Sequence, residues 1–170
     1  MFQVQASQAG YICLNQNIKL IYHAIIKNKI LRSFQLVNDH RYTELVQAMA
    51  LNVRHSFAGS HAMGGIRNDQ AAVKEWLERL GRVIPNLSIT VTHINVKGWP
   101  NNTLTIVRWT ATATLENGDP YKNEGVHFIT LKWGKVVELD VYEDTLTVAN
   151  GLEKQYLCGI KEAKASQIIS

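Results

Sequence analysis

At 170 residues and 46% apolar composition, the chain is sized for one domain with a real core. Its net charge is +4, with Lys and Arg scattered rather than gathered in a block, which argues against a nucleic-acid partner. No stretch reaches the roughly 18 apolar residues needed to cross a bilayer, so no membrane partner is expected. The N-terminus, without Lys or Arg before Lys19, lacks the layout of a secretory signal, and the default location is cytoplasmic. Cys13 and Cys158 lie near opposite ends without metal-ligand spacing, and read as free thiols in a reducing compartment. Neither a metal nor a cofactor is expected.

In chain order, Asn15 or Asn17 can cap a helix with apolar positions Ile18, Ile21, Ile25, Leu31, Phe34 and Val37. The run 25–31 is apolar on more than one side, which suggests a kink or a break between an added N-terminal segment, 1–29, and a domain over 30–148. Asn38-Asp39-His40 is a stop signal. A short helix over 41–49 and a strand over 52–57 follow. The Gly-rich loop 58–65 leads to a third helix, capped by Asn68 or Asp69, with Val73, Trp76, Leu77 and Leu80 on its apolar stripe. Four alternating strands are predicted at roughly 87–97, 103–115, 121–133 and 135–147. Asn117-Gly118 is a strong hairpin signal between the second and third of them. Residues 149–170 form a polar tail ending in a possible short helix.

This order of helices followed by a meander is α+β. Phe34-Gln35-Leu36-Val37-Asn38-Asp39-His40 and Val53-Arg54-His55-Ser56-Phe57 resemble the opening of the NTF2-like (SnoaL-like) superfamily. Val107-Arg108-Trp109-Thr110-Ala111-Thr112-Ala113-Thr114, Gly118-Asp119-Pro120-Tyr121, Gly125-Val126-His127 and Trp133-Gly134-Lys135-Val136-Val137 resemble its last strands. The resemblance implies a cone, with a curved antiparallel sheet wrapped around three N-terminal helices. It says less about activity, because the superfamily contains isomerases, epoxide hydrolases and polyketide cyclases beside members with no known activity.

Strand parity decides which side chains see a pocket. On the second long strand, Val107, Trp109, Ala111 and Ala113 share one face, which should be buried, leaving Arg108, Thr110, Thr112 and Thr114 to solvent. The resemblance implies the reverse, because Arg108-x-Thr110 stands where epoxide hydrolases of this fold carry an inward Arg-x-Asp pair. A dimer that buries the outer face would reconcile the two. His55 falls where the isomerases place a general base, and histidine can titrate near neutrality. His127 falls where they carry a protonated acid, and could donate to a substrate oxygen. Their inward tyrosine aligns with Ser33. On the last strand Glu138, Asp140, Tyr142 and Asp144 share one face, with Val137, Leu139, Val141 and Glu143 on the other. The hydrolase and cyclase pattern has an inward Asp near here. The best register puts Val141 in its place, whereas a one-residue slip would bring in Asp140 as acid/base.

The expected protein is therefore a homodimer with Trp109 and Tyr142 at a sheet-to-sheet interface. Its pocket would open near loop 58–65 and be lined by Phe57, His61, Trp76, Arg108, Thr110, Leu139 and Val141. It would take a small apolar molecule bearing a carbonyl or hydroxyl group, with His55 as base and His127 and Arg108 stabilising developing oxyanion charge. The competing reading is a non-catalytic ligand-binding or dimerisation module.

Overall fold

The computed structural model describes the backbone of residues 2–170 and the side chains from residue 16 onward. Helix α1 (Phe2–Asn38) is followed by α2 (Tyr42–Gln47), β1 (Met49–Phe57), β2 (Gly65–Arg67) and α3 (Gln70–Val83). The meander is β3 (Ser88–Trp99), β4 (Asn102–Thr114), β5 (Pro120–Lys132) and β6 (Lys135–Glu143). Helix α4 (Thr145–Leu157) and a 3-10 turn (Lys161–Lys164) complete the chain.

Helix α1 runs through 25–31 without a break, since no Gly or Pro interrupts it there. Ile26, Ile30 and Phe34, four residues apart, bury one face against the sheet. The helix is tied down at both ends of β3. Asn38 exchanges hydrogen bonds with the backbone of Ile89, while the Tyr22 hydroxyl meets Thr103 Oγ1 at 2.6 Å and His23 Nε2 lies 3.1 Å from Gly98 O. The Asp69 carboxylate caps α3 through Ala72 N at 2.8 Å, and Asp144 caps α4 through Leu146 N and Thr147 N. The supposed polar tail thus holds a full helix, whose buried Val148 and Leu152 join the core.

The sheet has six strands in the order β2-β1-β6-β5-β4-β3. The four-strand meander is antiparallel, and β1 joins β6 in parallel, with His55 beside Leu139 and Phe57 beside Val141. Irregularities at 91/93 and 130/131 bend the strands, as bulges do, and curl the sheet toward the helices. In β4 every second side chain is buried. Val107, Trp109 and Ala111 face the helices, while Leu104, Ile106, Arg108 and Thr110 face out. Trp109, expected in a dimer interface with Tyr142, is therefore inside. The outward apolar surface is made by Leu104, Ile106, Phe128 and Tyr142.

A clasp closes the loop between β1 and β2. The fully buried Arg67 guanidinium donates to the carbonyls of Gly64, Gly65 and Ile168, and Arg79 donates to those of Ala62 and Ser166. Gln167 Nε2 adds Gly59 O and His61 O, each at 3.2 Å. Burying a cation is costly unless it is hydrogen-bonded; here backbone carbonyls satisfy the terminal nitrogens, while Nε of both Arg67 and Arg79 is buried without a partner.

Candidate functional site

Between the concave face of the sheet and helices α1, α3 and α4 lies a cavity of about 120 Å³, almost entirely lined by hydrocarbon. For comparison, an engineered apolar cavity of about 150 Å³ holds benzene. Four titratable side chains interrupt this lining: His55, Tyr121, His127 and Glu143.

His55 is placed by β1 parity, with Val53 and Phe57 as its inward neighbours. It is 2% exposed, sits edge-on to Trp76 at 4.7 Å, and its Nδ1 is buried without a hydrogen-bond partner. Burial, then the positive charge of Arg67, then His127, hold its pKa well below 6.5. Histidine 55 is thus a mid-strand core residue rather than a loop-edge one. As an imidazole that resists protonation, it is a poor general base. His127 comes from β5, where it pairs with Val107 and Val141. It is stacked on Phe34 at 5.1 Å and lies edge-on to Trp109 at 5.5 Å. Burial lowers its pKa to about 3, so this ring is neutral as well.

The site's strongest acid/base candidate is one that sequence reasoning left out. Glu143 shares the inward row of β6 with Leu139 and Val141 and lies opposite Gly125. Burial, reinforced by the neighbouring Asp144 charge, raises its carboxyl to about 8. Asn123 Nδ2 donates to Glu143 Oε2 and to the Tyr121 hydroxyl, both at 3.2 Å, and lies 3.3 Å from Asp144 O. Tyr121, packed over Gly151, is pushed up to about 12 by burial and by Glu143. Only glycine fits at 125. A Cβ placed there would lie 2.5 Å from Tyr142 O, 2.6 Å from the Trp109 ring and 2.9 Å from Glu143 Cβ. The Trp109 ring and the Glu143 Cβ thus both pack against Gly125. At neutral pH the four groups carry no net charge and offer hydrogen bonds to an uncharged guest.

Of the other expected site residues, Phe57, Trp76, Leu139 and Val141 line the cavity. Arg108 and Thr110 do not. The parity that buries Val107, Trp109 and Ala111 turns them outward, and Arg108 pairs with Glu124 at 3.3 Å on the surface. Asp140 is also outside, held by Arg54 at 2.6 Å beside Glu138. The irregularity at 130/131 precedes it, and from Leu139 onward the register is regular, so no slip brings Asp140 inward. His61 stops one layer short of the cavity, edge-on to Phe57 at 6.0 Å, with both ring nitrogens buried and unpartnered. Met63, from the same loop, reaches the cavity instead. Ser33 lines the cavity, but its hydroxyl donates to Lys29 O. Cys158 is a free, exposed thiol, and the Cys13 side chain lies outside the described residues. Among the described residues no three His, Cys, Asp or Glu side chains converge as metal ligands.

No curated protein matches the chain. Solved structures do. TerC, co-crystallised with polyporic acid, is 21% identical, with a TM-score of 0.64 over 73% of this chain and 95% of its own. An NTF2-like protein of unknown function from Burkholderia pseudomallei K96243 is 16% identical, with a TM-score of 0.65 over 73% and 94%. Bal32a, from a soil-derived mobile gene cassette, is 16% identical, with a TM-score of 0.59 over 71% and 89%. At these identities the likeness establishes the NTF2-like fold alone. The model of the SnoaL-like domain matches residues 30–139, which run from the C-terminal part of α1 through β5 into the first half of β6 and stop short of Glu143, and the chain belongs to that family.

Proposed function

We propose that the cavity converts a small, uncharged, apolar molecule bearing a carbonyl or hydroxyl oxygen by general acid/base chemistry. Glu143 would give and take the proton. The observation that carries this reading is a carboxyl raised to about 8 inside an apolar cavity. An acid whose pKa lies near the operating pH can transfer protons in either direction. Tyr121 and the two neutral imidazoles then serve as hydrogen-bonding partners for the guest's oxygen, and His55 gives up the role of base. Arg108 and Asp140, outside the cavity, have no part. The chemistry requires no cofactor. The outward Leu104, Ile106, Phe128 and Tyr142 would be the surface through which two copies pair, in the cytoplasm.

The test is solvent-deuterium exchange into a small cyclic ketone, 2-cyclohexenone, followed by NMR with wild type and Glu143→Gln. Loss of an acid/base group costs roughly 10²–10⁴-fold. Equal exchange by both proteins refutes the role of Glu143. Binding of the ketone without exchange by either protein leaves a ligand-binding module.

A further inference from the structure

Two indoles stand in water at one end of the molecule. Trp133 is 77% exposed and Trp99 is 41% exposed. They occupy neighbouring hairpin turns, joined where the Trp133 amide donates to Pro100 O at 2.6 Å. The Trp133-Gly134 turn has φ of 50° and 78°. Two successive left-handed residues suit Asn-Gly, and a bulky side chain at the first of them is strained. The chain therefore keeps a large ring in a backbone conformation it disfavours and in a solvent it disfavours. Strain of this kind, held by its surroundings, points to use.

Helix α1 completes the same surface. Lys29 donates to Gly134 O, fastening one turn to the helix, while Tyr22 and His23 fasten the other. Beyond these ties Leu20, Ile21 and Ile25 are 66%, 63% and 58% exposed. Charge is concentrated here too. Residues 1–38 carry Lys19, Lys27, Lys29 and Arg32 and no acid, so they account for the whole net charge of +4. The other 14 of the 18 Lys and Arg balance the 14 Asp and Glu. The turns add Lys97, Lys132 and Lys135, and neither 95–103 nor 130–137 contains an acid.

We propose that this end of the molecule docks on an anionic lipid surface. The Trp99 and Trp133 rings and the α1 aliphatics would enter the headgroup boundary, with the lysines meeting the headgroups. Indoles settle at the boundary between water and lipid, and on α1 the exposed Ile18, Ile21 and Ile25, three and four residues apart, share one side that can meet the same boundary. The pattern favours lipid over other anionic partners. A nucleic acid would satisfy the lysines through its phosphates and leave Leu20, Ile21 and Ile25 in water. A protein partner buries a contiguous apolar patch depleted of lysine. Here lysines flank the indoles, with Lys97 two residues before Trp99 and Lys132 directly before Trp133. Among the described residues no helix is long and apolar enough to cross a membrane, so the contact proposed is with its surface.

The test uses the full chain and vesicles of phosphatidylcholine, with or without phosphatidylserine. Co-sedimentation should occur with the anionic vesicles only and weaken with added salt. It should shift tryptophan emission to the blue, a change confined to Trp99 and Trp133, because Trp76 and Trp109 are already buried. Trp99→Ser/Trp133→Asn should abolish both effects. Lys132→Gln, which leaves the indoles in place, should weaken binding about fivefold. Three results would overturn the proposal. One is no sedimentation with anionic vesicles. Another is tighter binding to duplex DNA or RNA than to those vesicles. The third is a lipid-free dimer that the double variant dissociates, which would assign the surface to a second copy.

Discussion

Replacing Glu143 by Gln tests the site without needing a substrate. The variant keeps the shape and hydrogen-bonding ability of the protonated acid and removes its titration. A rise from 4.5 to about 8 corresponds to about 5 kcal/mol between the two protonation states, at ~1.4 kcal/mol per unit. Glu143 is only partly buried, so solvent screening leaves about half of that as the expected effect. The sign follows from which state holds the proton more tightly. Below 4.5 both folded and unfolded chains are protonated, and the group adds no pH dependence. Between 4.5 and about 8 only the folded chain retains the proton, so wild-type stability falls as pH rises, and above 8 the loss is complete. Urea unfolding of the two proteins at pH 5, 7 and 9 measures this. The Gln variant should match wild type at pH 5 and exceed it by about 2–3 kcal/mol at pH 9. A stability difference independent of pH, or one favouring wild type at pH 9, would refute a buried proton on Glu143.

Gly125→Ala should cost roughly 1–3 kcal/mol, because the Trp109 ring and the Tyr142 carbonyl leave no room for a methyl group; denaturant midpoints would show it. Trp133→Gly should stabilise the fold by about 1 kcal/mol by relieving the left-handed backbone, measured by thermal unfolding. Asp144→Ala removes the cap of α4 and should cost about 1 kcal/mol in the same assay. Proton NMR should find neither His55 nor His127 titrating between pH 5 and 8, since burial keeps both rings neutral.

Much of the cavity was legible in strand parity. Alternation alone turns Val107, Trp109 and Ala111 inward and Arg108 outward, and it does so in the structure. The resemblance that favoured an inward arginine pointed the other way. The same parity sets Glu143 in the row of Leu139 and Val141, so the one inward carboxyl of β6 was visible. The family pattern of an inward aspartate points instead to Asp140, which stands on the opposite row. What one strand could not reveal was pairing at a distance. Tyr121 and Asn123 matter only because β5 carries them to the end of β6, and the short β2 gives three residues too little periodicity to read. The unbroken α1 was obscured by apolar residues on several sides at 25–31. Some of those were reserved for the exposed surface and not for the core.

The Arg67 and Arg79 clasp bears on how the molecule assembles. Arg67 reaches Ile168, a separation of 101 residues, and Arg79 reaches Ser166, a separation of 87. Contacts of such long range close large loops before they return any stabilisation, and they slow folding. The segment carrying Met63 is thus a wall of the cavity that sets late, after the meander, whose hairpins are local. The β1–β6 ladder, which pairs Met49 with Val136, spans a comparable separation, so a refolding chain should build the meander first and close β1 and the clasp onto it afterwards.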